Sequence, residues 1–109
     1  MGLNRVLVST LATSSAAATT AYQAPTSGNG TVVTSVYVSN LDNTNKSNHY
    51  ISAQVVANGT TLQIVNAATV PYNQALIFDR PVVLNPGDEL QFFGDTTSLM
   101  GVYVSLLEQ

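Results

Sequence analysis

Ten residues in the middle of the chain, Thr31 to Asn40, set the strongest constraint on its fold. Val32, Thr34, Val36 and Val38 alternate there with Val33, Ser35, Tyr37 and Ser39, a period of two that suits a pleated strand and no helix. The next stretch, Leu41 to Asn48, consists of residues that hydrogen-bond their own backbone, and it reads as a loop. His49 to Ala57 returns as a strand, with Tyr50, Ser52, Gln54 and Val56 on one side and Ile51, Ala53 and Val55 on the other. Asn58-Gly59 is a two-residue hairpin turn requiring positive φ at both positions, and Thr60 to Val65 is its predicted partner strand.

The same grammar extends to both ends. Arg5 to Leu11 reads as a first strand, with Leu7, Ser9 and Leu11 opposite Val6, Val8 and Thr10. Residues 12–21 are all small, and their Ser and Thr content without a large apolar anchor argues against a helix. Tyr22 to Pro25 is extended, because Ala24 precedes proline, and Thr26 to Gly30 turns the chain. Short strands follow at Ala75–Phe78 and Val82–Leu84, with Pro71 and Pro81 at their edges. Asn85-Pro86-Gly87-Asp88 is a tight turn. Glu89 to Phe93 and Met100 to Leu107 close the chain, separated by a turn over Gly94 to Ser98.

Seven or eight short strands at about 8–12-residue spacing predict an all-β fold. The expected architecture is a single antiparallel β-sandwich, jelly-roll or Ig-like, over residues 22–109. Residues 1–21 are expected to form an N-terminal strand and an extended arm that crosses to a neighbouring subunit as a strand or strap, the alternative being an edge strand of the same sandwich. The predicted core is Val32, Val36, Val38, Leu62, Ile64, Ile77, Leu90, Phe92, Val102 and Val104.

Composition narrows the function. Charged residues make up 8% of the 109 positions, against about 25% in ordinary soluble domains. Ser, Thr and Asn contribute 10, 13 and 10 residues instead, and Val contributes 14. With 45% apolar residues the chain is too hydrophobic for disorder. Three dispersed cations, Arg5, Lys46 and Arg80, cannot neutralise a phosphate backbone, so no nucleic-acid partner is expected. The absence of Cys excludes disulfides and thiolate chemistry, and a lone His49 excludes a multi-histidine centre. No apolar run approaches membrane-spanning length. Val6-Leu7-Val8 is broken by Ser9 and Thr10, too short for a secretory leader. Met-Gly lacks the Ser or Thr at position 6 that myristoylation requires.

Individual candidate sites fare poorly. Asp42 to Lys46 suggests a calcium loop, but Lys46 and Ala53 stand where ligands are needed. Asp88 and Glu89 are adjacent on a strand and point to opposite faces, so turn chemistry accounts for them. His49 near Ser47 and Ser52 has no evident orienting carboxylate and is expected at a strand-edge surface. Asn29, Asn45 and Asn58 match the glycosylation acceptor pattern, but two of them coincide with Asn-Gly turns. No catalytic residue, cofactor site or metal site is predicted. Eight scattered aromatic residues suit either a carbohydrate platform or contacts between subunits.

Several segments taken together are more specific. They are Tyr22-Gln23-Ala24-Pro25, Val33-Thr34-Ser35-Val36-Tyr37-Val38-Ser39-Asn40, Leu84-Asn85-Pro86-Gly87-Asp88-Glu89-Leu90 and Val102-Tyr103-Val104-Ser105-Leu106-Leu107-Glu108. From about residue 18 to 108 the chain resembles a group of small β-sandwich virion proteins of tailed bacteriophages. That resemblance implies a non-enzymatic structural protein located in the virion, a head decoration or cement subunit that stabilises the capsid. The alternatives are a tail, neck or fibre-associated component, or a secreted adhesion or carbohydrate-binding module.

The residues agree with an assembly role. A surface with few ions has little charge to desolvate when it packs against a neighbour. The first strand is apolar on parts of both faces, so Val6, Leu7, Val8, Leu11 and Tyr22 are the candidate inter-subunit contacts. The expected partners are the major capsid protein or other virion subunits, together with further copies of the chain, and no membrane.

Overall fold

The computed structural model describes residues 2–109 and contains nine strands. These are β1 (Gly2–Val8), β2 (Thr19–Gln23), β3 (Thr31–Asn40), β4 (His49–Ala57), β5 (Thr60–Val70), β6 (Ala75–Phe78), β7 (Val82–Leu84), β8 (Glu89–Gly94) and β9 (Met100–Glu108). They form two sheets in which every strand pair is antiparallel. One sheet has the order β1-β9-β3-β6, with β7 also paired to β3, and the other has the order β2-β8-β4-β5. The all-β sandwich expected from the strand periodicity is therefore present.

The core lies between the sheets. Val33, Val36, Val38, Val102, Val104 and Leu106 enter it from the first sheet, and Ile51, Ala53, Leu90 and Phe92 from the second. Leu11, Ala24, Val70, Leu84 and Met100 complete it.

Four predicted core residues lie elsewhere, each for a definable reason. A register shift between Val33 and Ser35 inserts a bulge in β3, and a bulge reverses which alternate side chains face inward. Val33 is consequently buried and Val32 turns to the outer face, while Val36 and Val38 keep the predicted orientation. Ile77 pairs with outward-facing Tyr37 and is exposed; its neighbours Leu76 and Phe78 pack on the core instead. Ile64 is the extra residue of a bulge, unpaired between Gln63 and Val65, and Val65 packs on the core in its place; Leu62, opposite half-buried Val55, is exposed on the terminal strand of its sheet.

The N-terminal segment also differs from expectation. Its strand is Gly2–Val8 rather than Arg5 to Leu11, and the expected boundary at residue 21 falls inside β2. The chain crosses from one sheet to the other between β1 and β2. Leu11 inserts into the core during the crossing, and its N–H donates to the carbonyl of Thr97 at 2.9 Å. The small residues that follow lie against the outside of the second sheet. Ser15 Oγ donates to Gln54 Oε1 at 2.8 Å, and Gln54 Nε2 donates to Gln91 Oε1 at 2.7 Å. This cover explains why β4 is buried on both faces over Ile51 to Gln54, where simple alternation predicted one polar, solvated side.

Candidate functional site

The uncovered face of the first sheet carries the most distinctive surface pattern of the molecule. Strand register places Leu7, Tyr103, Tyr37 and Ile77 in one row across β1, β9, β3 and β6. A second row runs through Leu3, Leu107, Val32 and Val83 across β1, β9, β3 and β7. The rows lie four residues apart along β1, roughly 13 Å at the usual strand rise. Between them runs a polar row in which Arg5 pairs with Ser105 and Ser105 with Ser35.

Six of the eight row residues are open to solvent, and Val32 and Leu107 are half-buried. Leu3, Leu7 and Val83 are 86%, 62% and 67% exposed, and Ile77, Tyr37 and Tyr103 are exposed as well. Tyr37 and Tyr103 meet edge to face at a centroid distance of 5.9 Å, a geometry that fixes both rings without burying them. In the polar row, Thr34 Oγ1 lies 3.0 Å from both the carbonyl oxygen and the hydroxyl of Ser105. Arg5 is the one charged residue in these three rows. Exposed Asp79 and Arg80 join β6 to β7 at the edge of this face, so its interior holds only Arg5 as an ion, and contiguous exposed apolar surface of this kind marks interaction sites.

Of the five predicted contact residues, only Leu7 lies on this face. Val6 and Val8 point inward opposite Val104 and Val102 and pack on the core. Leu11 is fully buried within its own domain, which removes it from any outward contact. Tyr22 is half-buried, and its hydroxyl bonds to Glu108 and to Thr31 Oγ1. Burial, and then the neighbouring Glu108 carboxylate, push the Tyr22 phenol pKa upward. Tyr37 and Tyr103 belong to the scattered aromatics expected to serve a platform or subunit contacts, whereas nothing in the sequence groups Leu3, Val32, Ile77 and Val83 with them. Their alternation was legible, but their meeting on one face depends on strand order and on the β3 bulge.

His49 is a second departure from expectation. Its side chain is buried rather than at the surface, and it lies between two carboxylates. Nε2 is 2.9 Å from Asp42 Oδ2, and Nδ1 is 3.2 Å from both oxygens of Asp95. Asp42 lies on the crossing from β3 to β4 and Asp95 on the crossing from β8 to β9. The imidazole thus ties together two inter-sheet connections at one end of the sandwich. Acceptors at both nitrogens favour the imidazolium. The hydrogen bond to Asp42 is the largest cause of a raised His49 pKa; burial opposes it and Asp95 reinforces it. The same hydrogen bond, helped by the Asn45 N–H, holds Asp42 below the usual carboxylate range. With each nitrogen committed to a carboxylate, this arrangement fits a structural clamp better than a general base.

The other predicted features behave as local structure. Asp88 Oδ2 accepts the Asn85 N–H at 3.0 Å, closing the Pro86-Gly87 turn, where Gly87 has a φ of 90°. Asn58 and Gly59 both have positive φ, as their hairpin turn requires.

No protein-family model matches the chain, and no curated protein matches it either.

Proposed function

We propose that the protein is a non-enzymatic structural subunit of a tailed-bacteriophage virion, a head decoration or cement protein. It docks on the particle through the uncovered face of the β1-β9-β3-β6 sheet. The observation that carries this reading is the pair of exposed apolar rows separated by a row holding a single charge. Placement in a virion comes from the resemblance of the Tyr-x-Ala-Pro, Pro-Gly-Asp and Val-x-Val-Ser segments to the phage group, and the low charge of the chain suits a protein that works packed against neighbours.

A carbohydrate-binding module is the weaker alternative. Such sites combine a flat aromatic ring with acidic or amide side chains that bond sugar hydroxyls. Here Tyr37 and Tyr103 meet edge to face, and their row neighbours are Leu7 and Ile77. Low-resolution electron cryomicroscopy of the source phage, with the subunit labelled, tests the proposal. Labels on the capsid surface are the expected result. Labels on the tail or neck select the alternative virion location, and an unlabelled particle refutes the assignment.

A further inference from the structure

Two of the ten asparagines, Asn29 and Asn58, precede glycine. The backbone nitrogen that follows an asparagine can attack the side-chain carboxamide, and glycine, with no Cβ, leaves that nitrogen least hindered. The two Asn-Gly steps have the same local chemistry but stand in opposite surroundings.

Gly30 is buried just before β3. A Cβ on it would lie 2.8 Å from the Leu84 carbonyl oxygen, and its own carbonyl accepts the Gln109 N–H at 3.0 Å. Thr31, the next residue, is buried and paired with Leu84 on one side and Glu108 on the other. The Asn29–Gly30 peptide is thus wedged between the ends of β7 and β9.

Asn58 and Gly59 form the two-residue turn between β4 and β5, with φ of 52° and 79°. Both are exposed, and no atom of the described residues comes within 4 Å of where a Gly59 Cβ would stand. The turn is closed by the Ala57–Thr60 pair and then by Val56 with Thr61, and both threonines are exposed. Strand ends with so few buried contacts open at little free-energy cost. Opening lets the Asn58–Gly59 peptide rotate until the Gly59 nitrogen faces the Asn58 carboxamide carbon.

We propose that Asn58 is a site of spontaneous deamidation, and that the fold protects Asn29 from the same reaction. The Gly59 nitrogen gives up its proton to hydroxide and attacks Asn58 Cγ. The N–Cγ bond forms, the Cγ–Nδ2 bond breaks, and Nδ2 takes a proton from water and leaves as ammonia, regenerating hydroxide. Water then opens the five-membered imide. Opening at Cγ gives aspartate; opening at the main-chain carbonyl gives isoaspartate, whose main chain runs through Cβ and Cγ. Either product adds one negative charge to a chain of formal net charge -3. Isoaspartate also inserts a main-chain atom into a turn whose two-residue length fixes the β4–β5 register. The turn belongs to the sheet opposite the proposed docking face, and its chemistry is independent of the virion reading.

Peptide fragmentation mass spectrometry of the full chain, incubated in water enriched in heavy oxygen, tests the proposal. A parallel sample in denaturing urea removes the fold, and incubation lasts until half of its Asn58 is converted. In the folded protein an acidic species should accumulate in which Asn58 has exchanged its amino group for a hydroxyl bearing heavy oxygen. Conversion of folded Asn58 should outpace that of folded Asn29 by roughly tenfold or more, whereas in urea the two rates should converge. Folded Asn58 left intact at that time, equal conversion of Asn29 and Asn58 in the folded protein, or a product without heavy oxygen overturns the proposal.

Discussion

Tyr37 and Tyr103 stand directly opposite each other on β3 and β9, with ring planes 81° apart and both side chains open to solvent. Two large aromatics exposed at the centre of a sheet contribute little to folding relative to a buried ring. Tyr103→Ala should lose about 0.5–1.5 kcal/mol for the edge-to-face pair, plus a share for the part of the ring that the sheet covers, and should cost clearly less than truncating a buried ring. Thermal unfolding of the variant checks this, and a much larger loss means the pair is structural rather than a contact surface.

Phe92 provides the contrast. It is fully buried on β8, among the largest side chains of the core. Phe92→Ala should cost about 3–5 kcal/mol, a large fraction of the roughly 5–15 kcal/mol that holds such a domain together. Denaturant titration should show an early midpoint or no folded baseline. Wild-type stability would remove Phe92 from the core.

The His49 clamp predicts a definite pH dependence. His49 has its pKa raised above 6.5, so its contribution is fully present below that value and is lost as pH rises through the folded pKa. Asp42 has its pKa lowered below 3.8, so its contribution is present above that value and is lost as pH falls through the folded pKa. Between about pH 4 and 6.5 both operate, and stability should peak there. Because His49 is the single histidine, its imidazole resonances titrate without ambiguity in NMR. A midpoint at or below 6.5, or an alkaline fall in melting temperature that survives when Asp42 and Asp95 are both replaced by Asn, contradicts the clamp.

Much of this architecture is readable from residue order. The strand over Thr31 to Asn40, the Asn58-Gly59 turn and the Pro86-Gly87 turn each carry their own local physics, and each is found where expected. What escaped is non-local. A one-residue bulge near Thr34 exchanges the faces of Val32 and Val33, and nothing in the alternation marks it. His49 gains its partners from residues 7 and 46 positions away. The apolar rows are assembled from five strands, and only the sheet order shows that Leu3 and Val83 share a surface.

The N-terminal segment divides into two parts with different expected roles. β1 has no fully buried residue, so a chain lacking residues 1–8 should stay folded with a modest loss of stability. Removing residues 1–21 also takes Leu11 and the first part of β2. Loss of buried Leu11 alone is worth about 2–5 kcal/mol, and this longer truncation should unfold. Circular dichroism of both truncations is the check; a folded 22–109 fragment would mean that the arm is dispensable to its own domain.

Docking through the β1-β9-β3-β6 face is decided by binding to particles that lack the native protein. Wild-type protein, Leu7→Lys and Tyr103→Lys would each be co-sedimented with such particles from the source phage. Both substitutions fall on exposed side chains, and each variant is first shown to melt near the wild type. Wild type is expected to saturate the particle while both lysine variants remain in the supernatant. Binding of the variants at the wild-type level, or no binding of the wild type, would contradict it.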